Sequence, residues 1–327
     1  MPKKIFITGA TGFIGSNLVK KLYNGKDKII SFSKIPDHPF LEGLKIKKIV
    51  GDIGNYNALL KAMRGSDYVY HLAACSLGGL EHKKELFDVN IKGTENVMKA
   101  CLKNKVKKVM NTSSCAVLGF TNSPKIKLTE KNNLIFKDNF YGQSKKLGED
   151  IVKKYVARGL DATIVNPGSV FGAGEVEPLG LIGSIKRRRI KFTFPGGTTL
   201  VSVSDIVDGM VLAMKKGKKG ERYILANEYM SFKEMYNTIA DILNKPRIRF
   251  ELPLVTYYPL YLLGAITQRL IKGSFISTET ARFAYHYRNW DSTKARKELG
   301  WIPKVTYKEA VRQALAYYQT YNKKWRS

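Results

Sequence analysis

A sharp strand-to-helix junction marked by three glycines constrains the fold of this chain more than any other stretch. A short apolar run predicts a buried strand. It is followed directly by Thr8-Gly9-Ala10-Thr11-Gly12-Phe13-Ile14-Gly15. Gly9 permits the sharp turn, Gly12 lets backbone approach a pyrophosphate without a Cβ in the way, and Gly15 lets the next helix pack closely. The helix over about Phe13 to Tyr23 would then point its N–H groups at the anion.

Spaced glycines also occur in tight turns for purely structural reasons, so their context decides the interpretation. A second predicted strand, Lys28 to Ser33, arrives at the distance that a βαβ unit requires. Further strands are predicted at Ile46 to Val50, Tyr68 to Ala74 and Lys107 to Ser114. This alternation of strands and helices indicates an α/β fold with a doubly wound parallel sheet of Rossmann type, which binds ligands at the carboxyl ends of its strands.

The end of the second strand bears on the choice between the two nicotinamide cofactors. An NAD site usually presents an acid to the ribose 2′-hydroxyl, whereas this chain presents Ser33 and Lys34. A hydroxyl and a cation suit a 2′-phosphate, so NADP(H) is preferred. The alternative interpretation is that Lys34 is an ordinary surface lysine. Asp37 keeps NAD(H) open, although Pro36 intervenes. NADP(H) is therefore the predicted cofactor and NAD(H) the second possibility.

Two polar residues at strand ends have more than one interpretation. Asp52, after the third strand, can accept from an adenine amine, can cap the helix that begins near Tyr56, or can do both. His71, on the fourth strand, is predicted to be a packed core residue and not a catalyst.

Tyr141 and Lys145 lie four residues apart in a predicted helix and therefore share one face. A tyrosine of ordinary pKa, near ~10, is a poor acid or base at neutral pH. A neighbouring ammonium, aided by a cationic nicotinamide, would lower that pKa toward the working range. A single match of this spacing also occurs as a plain surface pair.

Taken together, these motifs resemble the extended short-chain dehydrogenase/reductase family, in its NAD(P)-dependent epimerase/dehydratase type. The resemblance covers nearly the whole chain. It rests on the glycine turn, His71-Leu72-Ala73-Ala74, Thr112-Ser113-Ser114, Tyr141-Gly-Gln-Ser-Lys145, Asn166-Pro167-Gly168-Ser169-Val170-Phe171-Gly172, and Asp291-Ser-Thr-Lys-Ala295 with Leu299-Gly300-Trp301.

The resemblance implies an enzyme in which Tyr141 exchanges a proton with the substrate oxygen. Lys145 would hold the nicotinamide ribose and tune Tyr141, and Ser114 would bond the same substrate oxygen. Cys115 would be a packing residue, and no metal is implied. The cofactor-binding residues implied are Gly9, Thr11, Gly12, Phe13, Ile14, Gly15, Ser33, Lys34, Asp52, Ile53, Leu72, Ala73, Ala74, Thr112, Tyr141, Lys145, Pro167, Gly168 and Val170.

Two domains are predicted. Residues 1–172 and 201–228 would form the dinucleotide-binding domain, and residues 173–200 and 229–327 would form a smaller substrate-binding domain. Val201 to Met214 and Tyr223 to Ala226 are expected to return to the large sheet. In the family, the closest branch is that of dihydroflavonol reductases and 3β-hydroxysteroid dehydrogenases, which act on carbonyls or alcohols of bulky, largely apolar molecules.

A nucleotide-sugar epimerase or dehydratase using the same Ser-Tyr-Lys set is the alternative. Against it, Ser33 replaces the acid of NAD-retaining epimerases, and Cys115-Ala116 stands where 4,6-dehydratases carry an acidic pair. For it, Lys186 to Arg189 can grip a diphosphate. Binding of the cofactor without turnover is a third hypothesis, opposed by the intact catalytic set.

Net charge is the extreme value of the composition, at +29 from 56 Lys and Arg against 27 Asp and Glu. The basic residues are scattered along the chain, which favours a solvated surface, then an anionic membrane, and disfavours nucleic acid. Three cysteines without paired spacing, and a start that runs straight into the first strand, favour a cytoplasmic location.

One apolar run, Leu252 to Ile266, is too short at about fifteen residues to span a bilayer. It is predicted to be a buried pocket helix or, as the alternative, an interfacial segment resting on lipid. Peripheral membrane contact is thus one possible interaction, beside a small-molecule substrate. By resemblance, a homodimer is expected through the helices near Leu86 to Lys103 and Tyr141 to Arg158.

Overall fold

The computed structural model describes residues 2–76, 82–133, 135–174, 178–271 and 276–321. The strands in that part of the chain are β1 Lys4–Thr8, β2 Lys28–Ser33, β3 Lys47–Val50, β4 Tyr68–His71, β5 Lys108–Thr112, β6 Lys127–Leu128, β7 Ala162–Pro167, β8 Ser169–Phe171, β9 Phe192–Thr193, β10 Gly197–Ser202, β11 Arg222–Leu225, β12 Glu228–Ser231, β13 Phe250–Glu251 and β14 Tyr287–Trp290. The α-helices are α1 Phe13–Leu22, α2 Tyr56–Ala62, α3 Lys83–Phe87, α4 Thr94–Lys103, α5 Phe140–Ala157, α6 Pro178–Lys186, α7 Val203–Lys216, α8 Phe232–Ile242, α9 Tyr257–Leu270, α10 Thr278–Tyr285, α11 Thr293–Leu299 and α12 Tyr307–Tyr321.

Seven parallel strands form the large sheet, in the order β11-β7-β5-β4-β1-β2-β3. The order reverses between β1 and β4, and a crevice at the carboxyl ends of strands is expected at such a reversal. The doubly wound α/β prediction is confirmed. The predicted bounds of β2 match the observed ones, because its run of apolar residues is buried on both faces of the sheet.

Helices cover both faces of this sheet, and each face has its own apolar core. Leu18, Val207 and Trp301 belong to the core on one face, with α1, α7 and α11. Leu59, Val97 and Tyr155 belong to the core on the other face, with α2, α4 and α5. The sheet is therefore a middle layer that is shielded from water on both sides.

Residues 201–214 do not return to the sheet as a strand, which corrects the prediction for that stretch. The chain leaves β10 at Ser202, whose side chain accepts from the Asp205 N–H and caps α7. An amphipathic helix follows and packs against the large sheet. Only Arg222–Leu225 adds a strand there, parallel to β7 at the sheet edge.

A second group of elements packs beyond β7. Strands β12, β10, β14 and β6 form a smaller sheet, with β8 paired to β10, and β13 pairs with β9. Ile182, Phe232 and Tyr318 belong to the core that joins α6, α8 and α12. The two-domain division stays a prediction. The last part of the chain contributes Trp301 to one core of the large sheet and Tyr318 to the core of α6, α8 and α12.

The prediction of a buried pocket helix at the apolar run is wrong. That run forms a short 3₁₀ turn and α9, in which Gly264 is the buried residue. Its apolar side chains instead face outward, since only one side of the helix meets the rest of the protein. Hydropathy indicates what burial would stabilise and does not guarantee burial. Within the described ranges, no helix combines the length and the hydropathy needed to cross a membrane.

Candidate active site

The glycine turn has the geometry that its sequence predicts. Gly9 has a φ of +68°, and a Cβ there would lie 2.6 Å from the Ala73 backbone nitrogen. A Cβ on Gly15 would lie 2.0 Å from the Gly9 carbonyl oxygen, so α1 starts directly against the turn. Both positions require glycine for steric reasons.

The amino end of α1 is open toward the crevice. Gly12 caps the helix without a side-chain bond, and no acidic residue lies in the first turn. The first turn of any α-helix leaves N–H groups without intrahelical acceptors. A Cβ on Gly12 would meet only the Gly9 oxygen, at 3.3 Å, so its outer side is clear. This end suits a phosphate group.

A cavity of about 390 Å³ lies beside this turn, at the carboxyl ends of β1, β2 and β4. We call it the nucleotide cavity. Its lining comprises Gly9, Thr11, Gly12, Phe32, Ser33, Lys34, Ile35, Gly51, Asp52, Ile53, Ala73, Ala74, Cys75, Ser76, Glu85 and Val89. Nine of these were predicted from the sequence as cofactor-binding residues, and the glycine turn leaves backbone N–H groups beside the cavity, which suits a nucleotide diphosphate.

Lys34 and Asp52 face each other in this lining. The Lys34 Nζ lies 3.0 Å from Asp52 Oδ2, and the Gly54 N–H donates to Asp52 Oδ1 at 2.8 Å. The Gly54 bond, helped by Lys34, lowers the pKa of Asp52. Ser33 is buried, with its hydroxyl 3.4 Å from the Thr11 nitrogen that donates to it.

Asp52 does not cap α2, which corrects that part of the prediction. The cap is Asn55, whose Oδ1 accepts from the Ala58 N–H at 3.0 Å. Asp52 instead closes a turn within the Asp52–Gly54 segment. Its carboxylate therefore stays at the cavity. The adenine interpretation of Asp52 stays a prediction.

His71 is a buried structural residue between two threonines. The Thr8 hydroxyl oxygen accepts from the N–H groups of Leu72 and Ala73, both at 3.2 Å, so its single proton goes to His71 Nδ1 at 2.7 Å. The remaining ring nitrogen, Nε2, then donates to Thr94 Oγ1 at 3.1 Å. Burial lowers the pKa of His71 to about 3, so the ring is neutral and, through Thr8, fixes the backbone at Leu72 and Ala73.

Tyr141 and Ser114 meet at the end of β5. Asn139 caps α5 by accepting the Gly142 N–H at 2.8 Å, which places Tyr141 in the first turn. The Ser114 hydroxyl oxygen accepts the Ala116 N–H at 3.1 Å, so the hydroxyl proton is available for the phenol or for a substrate oxygen. Burial raises the pKa of Tyr141, and the hydrogen bond with Ser114 opposes that rise.

Lys145 contacts the strand and not the phenol. Its Nζ donates to the Thr112 carbonyl oxygen at 2.7 Å, and burial lowers its pKa to about 8. Burial raises the pKa of Tyr141 in the protein by itself. A lower Tyr141 pKa, produced by Lys145 together with a cationic nicotinamide, stays a prediction. The ammonium is nevertheless placed one helical turn below Tyr141, at the end of β5.

A buried network that the sequence analysis missed holds the Ser114 segment against α5. Asn166 donates through Nδ2 to the Ser114 carbonyl at 3.0 Å and to Glu149 Oε1 at 2.7 Å. Arg222 Nη1 lies 2.9 Å from Glu149 Oε2. The signal in the sequence was a third polar residue on the Tyr141 face, since Glu149 follows Lys145 by four.

Asn90 is a second residue whose role the sequence did not reveal. Its Oδ1 accepts the Cys75 N–H, and its Nδ2 donates to the Cys75 carbonyl and to Ser144 Oγ, all at 2.9 Å. A single helix over Leu86 to Lys103 was expected, but a π-helical segment, Asp88–Gly93, interrupts it. Such bulges are frequent at functional sites. This one joins the nucleotide cavity to α5.

The other predicted cofactor-binding residues lie around this centre. Phe13 and Ile14 begin α1, and Leu72 follows β4. Pro167 ends β7 next to β5, and Gly168 donates its N–H to the Leu225 carbonyl at 2.9 Å. Val170 continues into β8. Among the described residues, no group of His, Cys, Asp or Glu has the arrangement of a metal site.

The chain is similar to known proteins in sequence and in fold. The model of the NAD dependent epimerase/dehydratase family matches residues 5–226. Sterol demethylase protein B of Methylococcus capsulatus is 29% identical over 326 residues, covering 96% of this chain and 97% of that protein. A putative dihydroflavonol 4-reductase of Synechocystis is 27% identical over 330 residues, covering 97% and 94%.

Among solved structures, DesIV of Streptomyces venezuelae superimposes with a TM-score of 0.80 at 20% identity, covering 98% of each chain. That protein is a dTDP-glucose 4,6-dehydratase, and its structure contains NAD and TYD. At this identity the likeness concerns the fold.

Proposed function

The chain belongs to the NAD dependent epimerase/dehydratase family, and from this premise we propose that it reduces a carbonyl, or oxidises the matching alcohol, on a bulky and largely apolar molecule. It is an enzyme of the extended short-chain type. The observation that carries the proposal is the meeting of Ser114 and Tyr141 at the end of β5, with Lys145 one turn below.

In this proposal, the nucleotide cavity and the amino end of α1 hold the cofactor. Asp52 would accept from the adenine amine, the first turn of α1 would hold the pyrophosphate, and Lys145 would bond the nicotinamide ribose. When bound, the nicotinamide supplies or accepts the hydride. Lys34 supports NADP(H) as the preferred form, because its exposed ammonium at the cavity suits a 2′-phosphate. NAD(H) is the alternative.

Tyr141 carries the proton in the proposed reaction. In the direction of reduction, the phenol donates its proton to the substrate oxygen while Ser114 donates a second hydrogen bond to that oxygen. The raised pKa of Tyr141 keeps the phenol protonated at neutral pH, which suits a proton donor. The Lys145 ammonium favours the phenolate that remains, since opposite charges attract more strongly in a buried site.

An aromatic cluster supports an apolar substrate. Phe120 and Phe136 stack with ring centroids 5.7 Å apart, and His286 and Tyr257 continue the cluster at 5.8 and 5.4 Å. Phe136 precedes the cap of α5, and Phe120 follows the turn after Ser114. Both rings are therefore close in sequence to the segments that carry the catalytic hydroxyls. The name of one relative, sterol demethylase protein B, also refers to a bulky and largely apolar molecule.

The nucleotide-sugar reaction is the second candidate, and one observation weighs against its dehydratase form. Cys115 stands in the position of the acidic pair, is fully buried, and directs its thiol to the Asn166 carbonyl at 3.2 Å. Burial raises the pKa of this thiol, so Cys115 supplies neither an acid nor a base. Exposed Lys186 to Arg189 support diphosphate binding, so the epimerase reaction stays the second candidate.

The test is oxidation of NADPH and NADH by the purified enzyme with a panel of steroid, alicyclic and aryl ketones. Turnover of at least one ketone supports the proposal. Absence of turnover across the panel, together with epimerisation of a nucleotide sugar, would replace it with the second candidate. Sedimentation analysis of the same preparation tests the further proposal of a homodimer formed through α4 and α5.

A further inference from the structure

The exposed large apolar side chains are concentrated in one stretch of the chain. Eleven of the 17 exposed large apolar side chains among the described residues fall within residues 250–283. Eight of them form what we call the α9 face: Leu254, Val255, Tyr258, Leu262, Leu263, Ile266, Leu270 and Ile271. Val255 and Leu270 are 74% and 78% exposed. Contiguous apolar patches on soluble proteins usually mark an interaction site.

The helix presents this face in a fixed orientation. Tyr258, Leu262, Ile266 and Leu270 are spaced by four and therefore lie in one row along the helix. The opposite side is docked, since a Cβ on Gly264 would lie 2.5 Å from the Ser277 carbonyl carbon. The row is thus held outward by close packing behind it and is not a loosely attached segment.

The inward side is also tied by polar contacts. The Tyr261 hydroxyl accepts from Arg282 Nη2 at 3.1 Å, and Arg282 Nε donates to Asp138 at 3.0 Å. The Tyr257 ring packs against Tyr285 with centroids 5.6 Å apart. These contacts join α9 to α10 and to the segment before α5, so a rotation that buried the apolar row would break them.

Basic residues border the α9 face. Strand β13 pairs in parallel with β9, with Phe250 opposite Phe192. This register places the preceding residues, Arg249 and Lys191, side by side, and both are exposed. Exposed Arg187 to Arg189 lie just before Lys191 along the chain, and Arg269 lies within the last turn of α9.

The charge selects among the possible occupants of this face. A second copy of the chain, related by two-fold symmetry, would bring these cations against their own copies in a protein of net charge +29. An anionic surface instead complements both the apolar row and its basic border. An amphipathic helix with this combination is typical of segments that lie in the plane of a membrane interface.

We infer that the α9 face docks the enzyme on an anionic lipid surface, with the apolar row entering the headgroup and acyl boundary and Lys191, Arg249 and Arg269 meeting lipid phosphates. The helix has 14 residues and is therefore about 21 Å long, so it lies along the surface. The residues of the α9 face are not part of the lining of the nucleotide cavity, and this docking is independent of the reaction proposed above.

Vesicle flotation of the full chain tests the inference. The vesicles are phosphatidylcholine alone, or phosphatidylcholine with about 30% phosphatidylglycerol. We expect partition to the anionic vesicles that weakens at high salt. The double variant L262E/I266E should reduce partition at least about tenfold, because it places two carboxylates in the apolar row. The variant K191E/R249E should weaken it severalfold by reversing the basic border.

The matched control is I126E/I302E, which makes the same change of charge at two exposed apolar residues outside the α9 face. It should partition like the wild type to within about twofold. Failure of the wild type to bind anionic vesicles, or unchanged binding by L262E/I266E with a wild-type melting curve, overturns the inference. Conversion of a dimer to a monomer by L262E/I266E with unchanged vesicle binding also overturns it and makes the face an interface between copies.

Discussion

Asn166 donates its side-chain amide to the buried Glu149 carboxylate at 2.7 Å, and this bond fixes the distance between the two catalytic segments. Glu149 lies on the helix that carries Tyr141, while the same amide nitrogen of Asn166 holds the Ser114 carbonyl. The active centre is thus set by a polar contact that lies beneath it. Its rigidity depends on the pairing of Glu149 with Arg222.

Replacing Arg222 with Met tests this dependence. The change leaves the Glu149 carboxylate buried without its cation, and we expect a loss of about 3 kcal/mol in the free energy of unfolding. The double variant E149Q/R222M removes both charges and should be clearly more stable than R222M alone. Urea unfolding of the three variants measures this, and a loss below about 1 kcal/mol for R222M would contradict the role of the pair.

The steric requirement at the glycine turn predicts a difference between two alanine substitutions. Gly9 and Gly43 have similar φ angles of +68° and +73°, but only at Gly9 does a Cβ meet neighbouring atoms. Backbone strain alone should cost Gly43→Ala about 1 kcal/mol. Gly9→Ala adds the clash with Ala73 and should cost more than twice as much and weaken cofactor binding. Equal losses of unfolding free energy in the two variants would show that the clash is relieved cheaply.

Lys34 is predicted to read the 2′-phosphate of the cofactor. Lys34→Gln should raise the Kd for NADPH about tenfold, which corresponds to about 1.4 kcal/mol, and change the Kd for NADH by less than about twofold. Lys48→Gln is the control, because Lys48 pairs with Asp37 outside the nucleotide cavity and loses the same charge. Fluorescence titration gives both constants. Parallel changes for the two cofactors would remove Lys34 from this role.

His71 makes stability depend on pH in a defined direction. Its folded-state pKa of about 3 lies below the ordinary value of 6.5, so on acidification the unfolded chain takes up a proton that the folded protein does not. Stability therefore falls as the pH drops below 6.5, by up to about 1.4 kcal/mol per unit from this residue.

We expect His71→Asn to reduce that slope. Between pH 6.5 and 5.0 the wild type should lose about 2 kcal/mol more than the variant, as measured by urea unfolding at each pH. Burial lowers the pKa values of His38 and His286 as well, so both proteins keep a common slope from those residues. Identical pH profiles would mean that His71 is not buried as a neutral ring.

The parts of this protein that sequence analysis predicted are those encoded locally. The glycine turn, the bounds of β2 and the spacing of Tyr141 and Lys145 each depend on residues within a few positions of one another. Steric rules at a glycine and the period of a helix are sufficient for such features.

The parts that it did not predict depend on distant partners. Arg222 lies 73 residues from Glu149, and no local pattern joins them. The exposure of α9 depends on which side of the helix the rest of the chain covers, which hydropathy does not specify. The raised pKa of Tyr141 is likewise a consequence of tertiary burial, whereas the sequence shows only its neighbour Lys145.

The most direct test of the account is Tyr141→Phe, assayed with a ketone on which the wild type oxidises NADPH. Loss of the phenol proton should lower kcat by about a thousandfold while the Kd for NADPH changes by less than about threefold. Tyr155→Phe is the control, since that ring is buried on the same helix away from Ser114. A Tyr141→Phe enzyme that keeps more than about a tenth of the wild-type rate would contradict the assignment of Tyr141 as the proton donor.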